Sequence, residues 1–348
     1  MAITEKLSAR LQQQILDTNR AQARAIVGAA RPGAIGAGGA FVFFAAFDGT
    51  NNDLANSGNV QNTNVAQLSG QVQSAGGANS NLRSNYYSGP GTIGTLSKSA
   101  WLDTAVTQQV IHAADRAYQD FAVNASAWLE SHRGAAVTCV LSAFSRGNAS
   151  AAIFSQMLFE RGLVDPAAAG RVLVKPGQVP VSAGVLFEPV MTGVKCNLAF
   201  APNARNLIQI RAQDEYRQLF RAADYSAQPC VTRIDMLGNH CDIGGGYDNG
   251  IAALTLDAAT AFLRKSGLSI ADVDEFRAFA GVDAIAIHSE ELDDQRRPLW
   301  DVYDHFRSVN ILQPSPRLTA PVATPAVPSA AGDTMTIYNG GTITVARP

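Results

Sequence analysis

A serine flanked by small residues is the first part of the sequence whose residue types suggest chemistry. Ser145 follows the apolar run 137–144 and lies two residues from both Ala143 and Gly147. A sharp strand-to-helix turn can expose a serine hydroxyl, and small neighbours let the backbone segments pass closely. Helix formers follow, so Ser145 is expected at a helix N-terminus, where N–H groups can stabilise an oxyanion. The pattern predicts a nucleophilic serine.

A serine nucleophile needs a base to take its proton and a carboxylate to orient that base. Where the serine occupies such a turn, the chain order is serine, acid, histidine. Three of the five histidines follow Ser145, namely His240, His288 and His305. His240 ends an apolar run before a glycine-rich segment, a place where binding loops form. We predict His240 as the base, His288 as structural or near the rim and His305 as a surface residue; the alternative for each is a solvated loop histidine.

Carboxylates at the ends of apolar runs are the candidates for the acid. Glu188 directly follows the run 185–187, so it belongs to the predicted strand next after that of Ser145. Asp214 follows the run 206–211 and is the alternative acid, one strand later. The sequence predicts Glu188, because its strand end lies at the same sheet edge as Ser145.

Metal and cofactor chemistry has weaker support in the sequence. Asp48 and Asp242 stand at strand ends, where they could orient neighbouring groups or bind a hard cation such as Ca²⁺. The four cysteines show no C-x-x-C spacing and sit mostly in apolar contexts, so zinc is not predicted and buried free thiols are. A bridge between Cys196 and Cys230 stays open for an oxidising compartment. We expect no cofactor, with Ca²⁺ as the alternative.

Apolar runs alternate with segments of helical spacing along most of the chain. The predicted strands are 40–47, 137–144, 181–187, 206–211 and 231–237, and the predicted helices are 101–131, 149–163 and 251–266. Uninterrupted apolar strands are typical of a mainly parallel sheet covered on both faces, so the fold class is α/β. Residues 51–100, rich in Asn, Ser and Gly, are predicted to be a long surface loop.

Three parts are predicted along the chain. Residues 1–38 form a helical appendage, in which apolar residues at helical spacing indicate an amphipathic helix over 3–30. Residues 39–312 form the α/β catalytic domain. Residues 313–348 form a Pro/Ala-rich linker and a terminal hairpin with an Asn339-Gly340 turn.

The composition of the chain indicates which classes of function are not expected. The 348 residues carry a net charge of −2 with scattered basic residues, so nucleic-acid binding is not predicted. The N-terminus does not resemble a Sec signal peptide, and the longest apolar run, 40–47, is too short to cross a bilayer. We expect no transmembrane segment.

Seven segments, in order, resemble a known family. They are 47–52, 63–65, 86–92, 144–147, 186–190, 212–217 with Phe220, and 238–247. The family is the α/β-hydrolase phospholipase effectors of bacterial type VI secretion systems, together with their uncharacterised relatives. The most distinctive segment is the His-x-Asp-x-Gly-Gly-Gly block that begins at His240, and the resemblance covers about residues 41–267.

The resemblance implies an α/β-hydrolase fold and a serine lipid esterase. It implies that Ser145 is the nucleophile, His240 the base and Glu188 the acid, although the family has Asp in that acidic position. The chain also has Ala143 where the family usually has Gly, and Asn148 where it usually has Ala. The mechanism would be acyl transfer without a metal.

The oxyanion is expected to bind the Arg146 backbone N–H and a second N–H from Gly49 or Thr50. These two residues follow an apolar strand that ends at the same predicted edge. The resemblance also implies a phospholipid substrate and peripheral membrane contact. It implies an immunity protein and a secretion spike or tube component as partners, with the leading helix or terminal hairpin as docking elements. The protein would reside in the bacterial cytoplasm before delivery to a target-cell periplasm. The alternatives are a non-lipid esterase and an inactive scaffold that serves as a binding component.

Overall fold

A six-stranded sheet forms the centre of the computed structural model, which describes residues 3–4, 7–36, 39–54, 62–77, 81–92, 104–168, 170–247, 250–289, 309–315, 334–336 and 342–344. In chain order the strands are β1 (Phe41–Phe47), β2 (Leu82–Tyr87), β3 (Val137–Phe144), β4 (Val181–Phe187), β5 (Leu207–Ala212) and β6 (Val231–Met236). All neighbouring pairs are parallel, in the spatial order β6-β5-β4-β3-β1-β2. The predicted mainly parallel α/β architecture is confirmed.

The strand order has a point of reversal between β1 and β3. From β1 the chain first moves outward to β2, and then returns to place β3 on the other side of β1. In open parallel sheets, ligands bind beyond the strand ends at such a reversal. Both strands at the reversal are almost wholly buried, as expected for strands covered on both faces.

Helices cover both faces of the sheet. They are α1 (Ala9–Ala29), α2 (Asn64–Gly76), α3 (Thr104–Ser131), α4 (Gly147–Arg161), α5 (His240–Gly244) and α6 (Ile251–Lys265). One buried cluster joins α3 and α4 to the sheet, and a second joins α1, α2 and α6 to its opposite face. In the part of the chain that is described, none of the helices is long and apolar enough to span a membrane.

The prediction of a long loop over 51–100 is wrong for two parts of that range. It contains α2, whose buried face includes Val65, Leu68 and Val72, and the edge strand β2. The Asn-, Ser- and Gly-rich composition hid the helical spacing of these apolar residues. β2 carries mostly polar residues because it lies at the edge of the sheet, so it has no apolar run to recognise.

Short elements complete the described structure. Antiparallel pairs join Ile3–Thr4 to His288–Ser289 and Leu163–Val164 to Val172–Val174, and a parallel pair joins Ala222–Asp224 to Val309–Ile311. Single 3-10 turns are Gln218–Phe220, Glu275–Arg277 and Val282–Ala284. Near the C-terminus, Thr334–Thr336 pairs antiparallel with Thr342–Thr344, and the predicted Asn339-Gly340 turn lies outside the described residues.

The cysteines are free thiols. The bridge left open between Cys196 and Cys230 is therefore not formed. Both side chains are partly buried against the apolar cluster on the α3 and α4 face, which fits the expectation of packed thiols. Burial raises the pKa of Cys196 to about 12 and that of Cys230 to about 11, so both stay protonated.

Candidate active site

Strained backbone marks the ends of three neighbouring strands. Among the described residues, the non-glycine residues with positive φ are Asn51 (64°), Ser145 (54°) and Glu188 (39°). They follow β1, β3 and β4. Left-handed backbone costs a side-chain-bearing residue about 1 to 3 kcal/mol and persists only where the surroundings fix it. The predicted nucleophile and the predicted acid thus occupy two of these three turns.

Close backbone packing fixes the Ser145 turn. A Cβ on Gly147 would collide with the Phe47 carbonyl oxygen and lie 2.5 Å from that of Asp48. A Cβ on Gly49 would lie 3.0 Å from the Ser145 Cβ. The turn after β3 therefore packs closely against the turn after β1: a side chain at position 147 would displace backbone, and one at position 49 would displace the Phe144 and Ser145 side chains.

Asn148 ties the serine turn to the end of β4. Its side-chain amide donates to the Ser145 carbonyl (2.9 Å) and to the Phe187 carbonyl (3.1 Å). The Ser145 N–H also donates to the Phe187 carbonyl (3.1 Å), and the Val190 N–H donates to that of Ser145 (3.3 Å). The serine turn and the acid turn are thus one hydrogen-bonded unit. Asn148 is a residue at which the chain departs from the resembled family, and no role was predicted for its side chain.

Glu188 and His240 form a buried pair. His240 Nδ1 lies 3.0 Å from Glu188 Oε2, and the Ala212 N–H donates to Glu188 Oε1 (3.0 Å). A proton on Nδ1, facing the carboxylate, leaves Nε2 as an acceptor. Asp214, the alternative acid, instead accepts the Gly238 N–H (2.7 Å) and donates its own N–H to the Gly238 carbonyl (3.0 Å). The structure therefore places Glu188 against His240, and Asp214 against the loop before it.

His240 lies beside the serine turn. Its ring centroid is 4.6 Å from that of Phe144, the residue before Ser145. Ser145 is 2 % exposed and His240 is 3 % exposed. Among the contacts of the described residues, no hydrogen bond joins Ser145 Oγ to His240. The predicted nucleophile and the predicted base are thus both buried, and the His240 ring packs against the residue before Ser145.

The environment of His240 favours the neutral ring. Burial lowers its pKa below the ordinary value, and this outweighs the hydrogen bond that the ring makes to the Glu188 carboxylate, which raises it. Arg217 also lowers it. The Arg217 guanidinium lies 3.5 Å from the centroid of the Phe220 ring, which meets the His240 ring edge-on at 4.8 Å. A neutral imidazole at neutral pH can accept a proton, as a general base must.

Asp48 supports the turn after β1. It accepts hydrogen bonds from the Gly49 N–H (2.7 Å), the Thr63 hydroxyl (2.6 Å) and the Tyr86 hydroxyl (2.7 Å). Burial raises the Asp48 pKa to about 6. Because the Gly49 N–H is directed at this carboxylate, Thr50 is the better source of a second oxyanion donor.

Asp242 supports the helix that begins with His240. Its Oδ2 accepts the Asn239 N–H (3.0 Å), while the Asn239 side chain accepts the Asp242 N–H (3.0 Å). Asp242 Oδ1 lies 2.6 Å from His288 Nδ1, and Tyr247 stacks on the His288 ring at 4.1 Å. His288 is thus a partner of this cap. Asp48 and Asp242 belong to separate hydrogen-bond sets, and the described residues contain no group of three or more acidic, histidine or cysteine side chains able to hold a metal.

The Arg146 side chain connects the serine turn to neighbouring loops through hydrogen bonds. It donates to the Thr192 carbonyl (2.7 Å), the Leu219 carbonyl (3.0 Å) and the Thr50 hydroxyl (3.3 Å). Burial lowers its pKa to about 10, so it remains charged at neutral pH. Its contacts fix Thr50 beside the serine turn. His305 lies outside the described residues.

Comparisons with known proteins give only distant likenesses. Neither a protein-family model nor a curated protein matches the chain. A crystal structure of an uncharacterized protein from Pseudomonas aeruginosa is similar with a TM-score of 0.45 and 15 % identity, over 80 % of this chain and 52 % of that one. A structure of the Tle1 effector bound to the VgrG spike from the type 6 secretion system is similar with a TM-score of 0.40 and 19 % identity, over 61 % of this chain and 52 % of that one. The chain spans about half the length of each of these proteins. A proposal of function therefore depends on the residues of the site.

Proposed function

We propose that the chain hydrolyses carboxylic esters by acyl transfer through Ser145, His240 and Glu188. The observation that carries this proposal is the buried contact of 3.0 Å between Glu188 Oε2 and His240 Nδ1, beside the strained Ser145 turn. His240 Nε2 takes the proton as Ser145 Oγ attacks the ester carbonyl, and Glu188 stabilises the charged ring that results.

The remaining steps use groups at the same sheet edge. The Arg146 and Thr50 N–H groups bind the oxyanion, and His240 returns its proton to the leaving alcohol as the acyl-enzyme forms. Water, activated by His240, then releases the acid and restores the Ser145 hydroxyl. Each oxyanion donor contributes about 3 kcal/mol to such a reaction.

A phospholipid is the proposed ester class, and a non-lipid ester is the rival. The lipid assignment rests on the seven-segment resemblance. Hydrolysis of defined phospholipid vesicles, compared with short-chain nitrophenyl esters, distinguishes the two. Release of fatty acid from the vesicles supports the lipid assignment, whereas cleavage of the short esters alone supports the rival.

We propose delivery by a type VI secretion system as the biological setting. This too rests on the sequence resemblance, which implies a spike or tube partner, an immunity protein and action in a target-cell periplasm. The full chain is expected to co-purify with a spike protein from the same genome. A spike protein that leaves the full chain unbound in this assay contradicts the setting and leaves the esterase proposal standing.

An inactive scaffold is the second candidate function. It is favoured by the low exposure of Ser145 and by the missing hydrogen bond between Ser145 Oγ and His240 in the described residues. A small fluorophosphonate probe decides between the two, because it can enter a narrow site and reacts only with an activated serine. Labelling located at Ser145, and absent from Ser145→Ala, supports the enzyme. Folded wild-type protein that stays unlabelled supports the scaffold.

A further inference from the structure

The loop that leads from β6 to His240 is held by side chains from separate elements. The Leu237 N–H donates to Asn19 Oδ1 and the Asn19 amide donates to the Leu237 carbonyl, both at 2.9 Å. The Asp214 side chain accepts the Gly238 N–H (2.7 Å), and the Asp214 backbone N–H donates to the Gly238 carbonyl (3.0 Å). Both backbone groups of two successive residues are therefore occupied just before His240.

The third loop residue is held by α5 itself. The Asn239 N–H donates to Asp242 Oδ2 (3.0 Å), and its carbonyl accepts the Ile243 N–H (3.2 Å). The backbone N–H and carbonyl groups of Leu237, Gly238 and Asn239 are therefore all hydrogen-bonded. The direction of the His240 side chain is thus set by three successive supports.

Asn19 is an unusual residue for its position. It lies on the buried face of α1, where its buried neighbours are Ile15, Leu16 and Ile26, and it is 0 % exposed. Burying an amide among apolar side chains is costly unless its hydrogen bonds are made. An apolar side chain could also pack at this position, so what the amide contributes is its pair of hydrogen bonds to Leu237.

The place of Leu237 in the sheet explains what the amide does. β6 is the edge strand, and its only sheet neighbour among the described strands is β5. Asn19 supplies one acceptor and one donor to the residue after the strand, as a neighbouring strand would. The end of the edge strand is therefore fixed by α1, which comes from the opposite end of the sequence.

We propose that Asn19 is a positioning residue for His240: its amide fixes Leu237, and through the loop it aims the imidazole at Ser145. The proposal rests on the proposed esterase function for its kinetic consequences alone. Asn19 touches no reacting group itself. It makes α1 part of the machinery that orients the base.

A second side chain of α1 contacts the segment that leads to His288. The Gln12 amide donates to the Ile285 carbonyl (2.9 Å), three residues before His288. His288 in turn pairs with Asp242. α1 therefore contacts both the loop before His240 and the segment before His288, the partner of Asp242.

The kinetic test uses Asn19→Leu, with Leu16→Ala as the matched control on the same buried face. Asn19→Leu leaves the Leu237 N–H and carbonyl unpaired, so kcat should fall roughly 10- to 100-fold with KM little changed, as for a displaced catalytic group. Burial holds the His240 pKa down, so a loosened loop that admits water should move the acid limb of the kcat profile to higher pH. Leu16→Ala should lower stability without moving that limb.

Nuclear magnetic resonance of the histidine rings separates this proposal from the proposed function. The His240 titration, assigned with His240→Gln, should move upward in Asn19→Leu and stay in place in Leu16→Ala, whether or not the protein hydrolyses esters. An unchanged His240 titration in folded Asn19→Leu overturns the proposal. If the wild type is inactive but the titration moves, the positioning stands and the esterase function fails. Asn19→Ala replaces Asn19→Leu, with the same two outcomes, if the latter does not fold.

Discussion

Ser145 and His240 meet at one edge of the sheet but are held there by different means. The serine turn is held by backbone contact, since an added Cβ on Gly147 would meet two carbonyl oxygens of the neighbouring turn. The histidine loop is held by side-chain amides and carboxylates, among them Asn19 and Asp214.

The two kinds of support predict different effects of substitution on the two sides of the site. Backbone contact leaves no room for an added atom, so changes near Ser145 should act through folding. Side-chain supports can be removed one at a time, so changes around His240 should act through a graded loss of activity. Substitutions on the two sides of the site test this distinction.

Glu188→Gln should have the largest effect on activity. It replaces the carboxylate that holds the His240 ring and stabilises its charge, so kcat should fall about 10⁴-fold, as when the acid of a serine triad is made an amide. Asp214→Asn touches Gly238 instead of His240, and should lower kcat only about tenfold by loosening the loop. The measurement is kcat on any ester that the wild type cleaves. Equal losses in the two variants would return Asp214 to the role of acid.

Gly147→Ala should have the largest effect on folding. The new Cβ would press on the Phe47 and Asp48 carbonyls, so the free energy of unfolding should fall by about 2 to 3 kcal/mol. Gly70→Ala is the control, because a Cβ at this position in α2 meets nothing within 4 Å; it should be neutral or stabilise by up to about 1 kcal/mol. Urea unfolding measures both. If Gly147→Ala unfolds like the wild type, the backbone contact is not what holds the turn.

The two kinds of support also explain which parts of the site the sequence revealed. The small residues on both sides of Ser145 and the apolar run before it predict a tight turn from a few adjacent positions. The strand ends at Glu188 and His240 could be placed for the same reason, because alternating strands and helices define one carboxyl edge. The positions of five of the six strands follow from the same local patterns, whereas their spatial order in the sheet was not predicted.

The side-chain supports could not be predicted in this way. Asn19 and Leu237 are separated by 218 positions, and nothing in the local pattern of α1 pairs them. The choice between Glu188 and Asp214 depended on which carboxylate faces the imidazole, a matter of three-dimensional placement. Asn148 was noticed only as a departure from related sequences, since its two carbonyl partners become neighbours only when β3 and β4 pair.

Asp48 offers a pH-dependent test of the serine side. Burial raises its pKa from 3.8 to about 6, so the folded protein keeps this proton over a range in which the unfolded chain has lost it. Stability from this group is therefore greatest at low pH and is lost as pH rises from about 4 to about 6, by about 2 to 3 kcal/mol. Asp48→Asn cannot titrate, so the difference in unfolding free energy between wild type and variant should change over this window. Parallel stability curves would show that Asp48 is not held protonated.

Asn148→Ala should have the smallest effect, because it removes a side-chain support from the side that depends on the backbone. The Phe187 carbonyl keeps the Ser145 N–H, and the Ser145 carbonyl keeps the Val190 N–H. The variant also removes Asn148 Oδ1, a buried acceptor without a partner among the described residues. The unfolding free energy should therefore fall by only about 1 kcal/mol, measured by urea unfolding beside kcat. A loss of kcat as large as that of Asn19→Leu would mean that the serine turn, too, depends on side-chain support, and the contrast between the two sides would not hold.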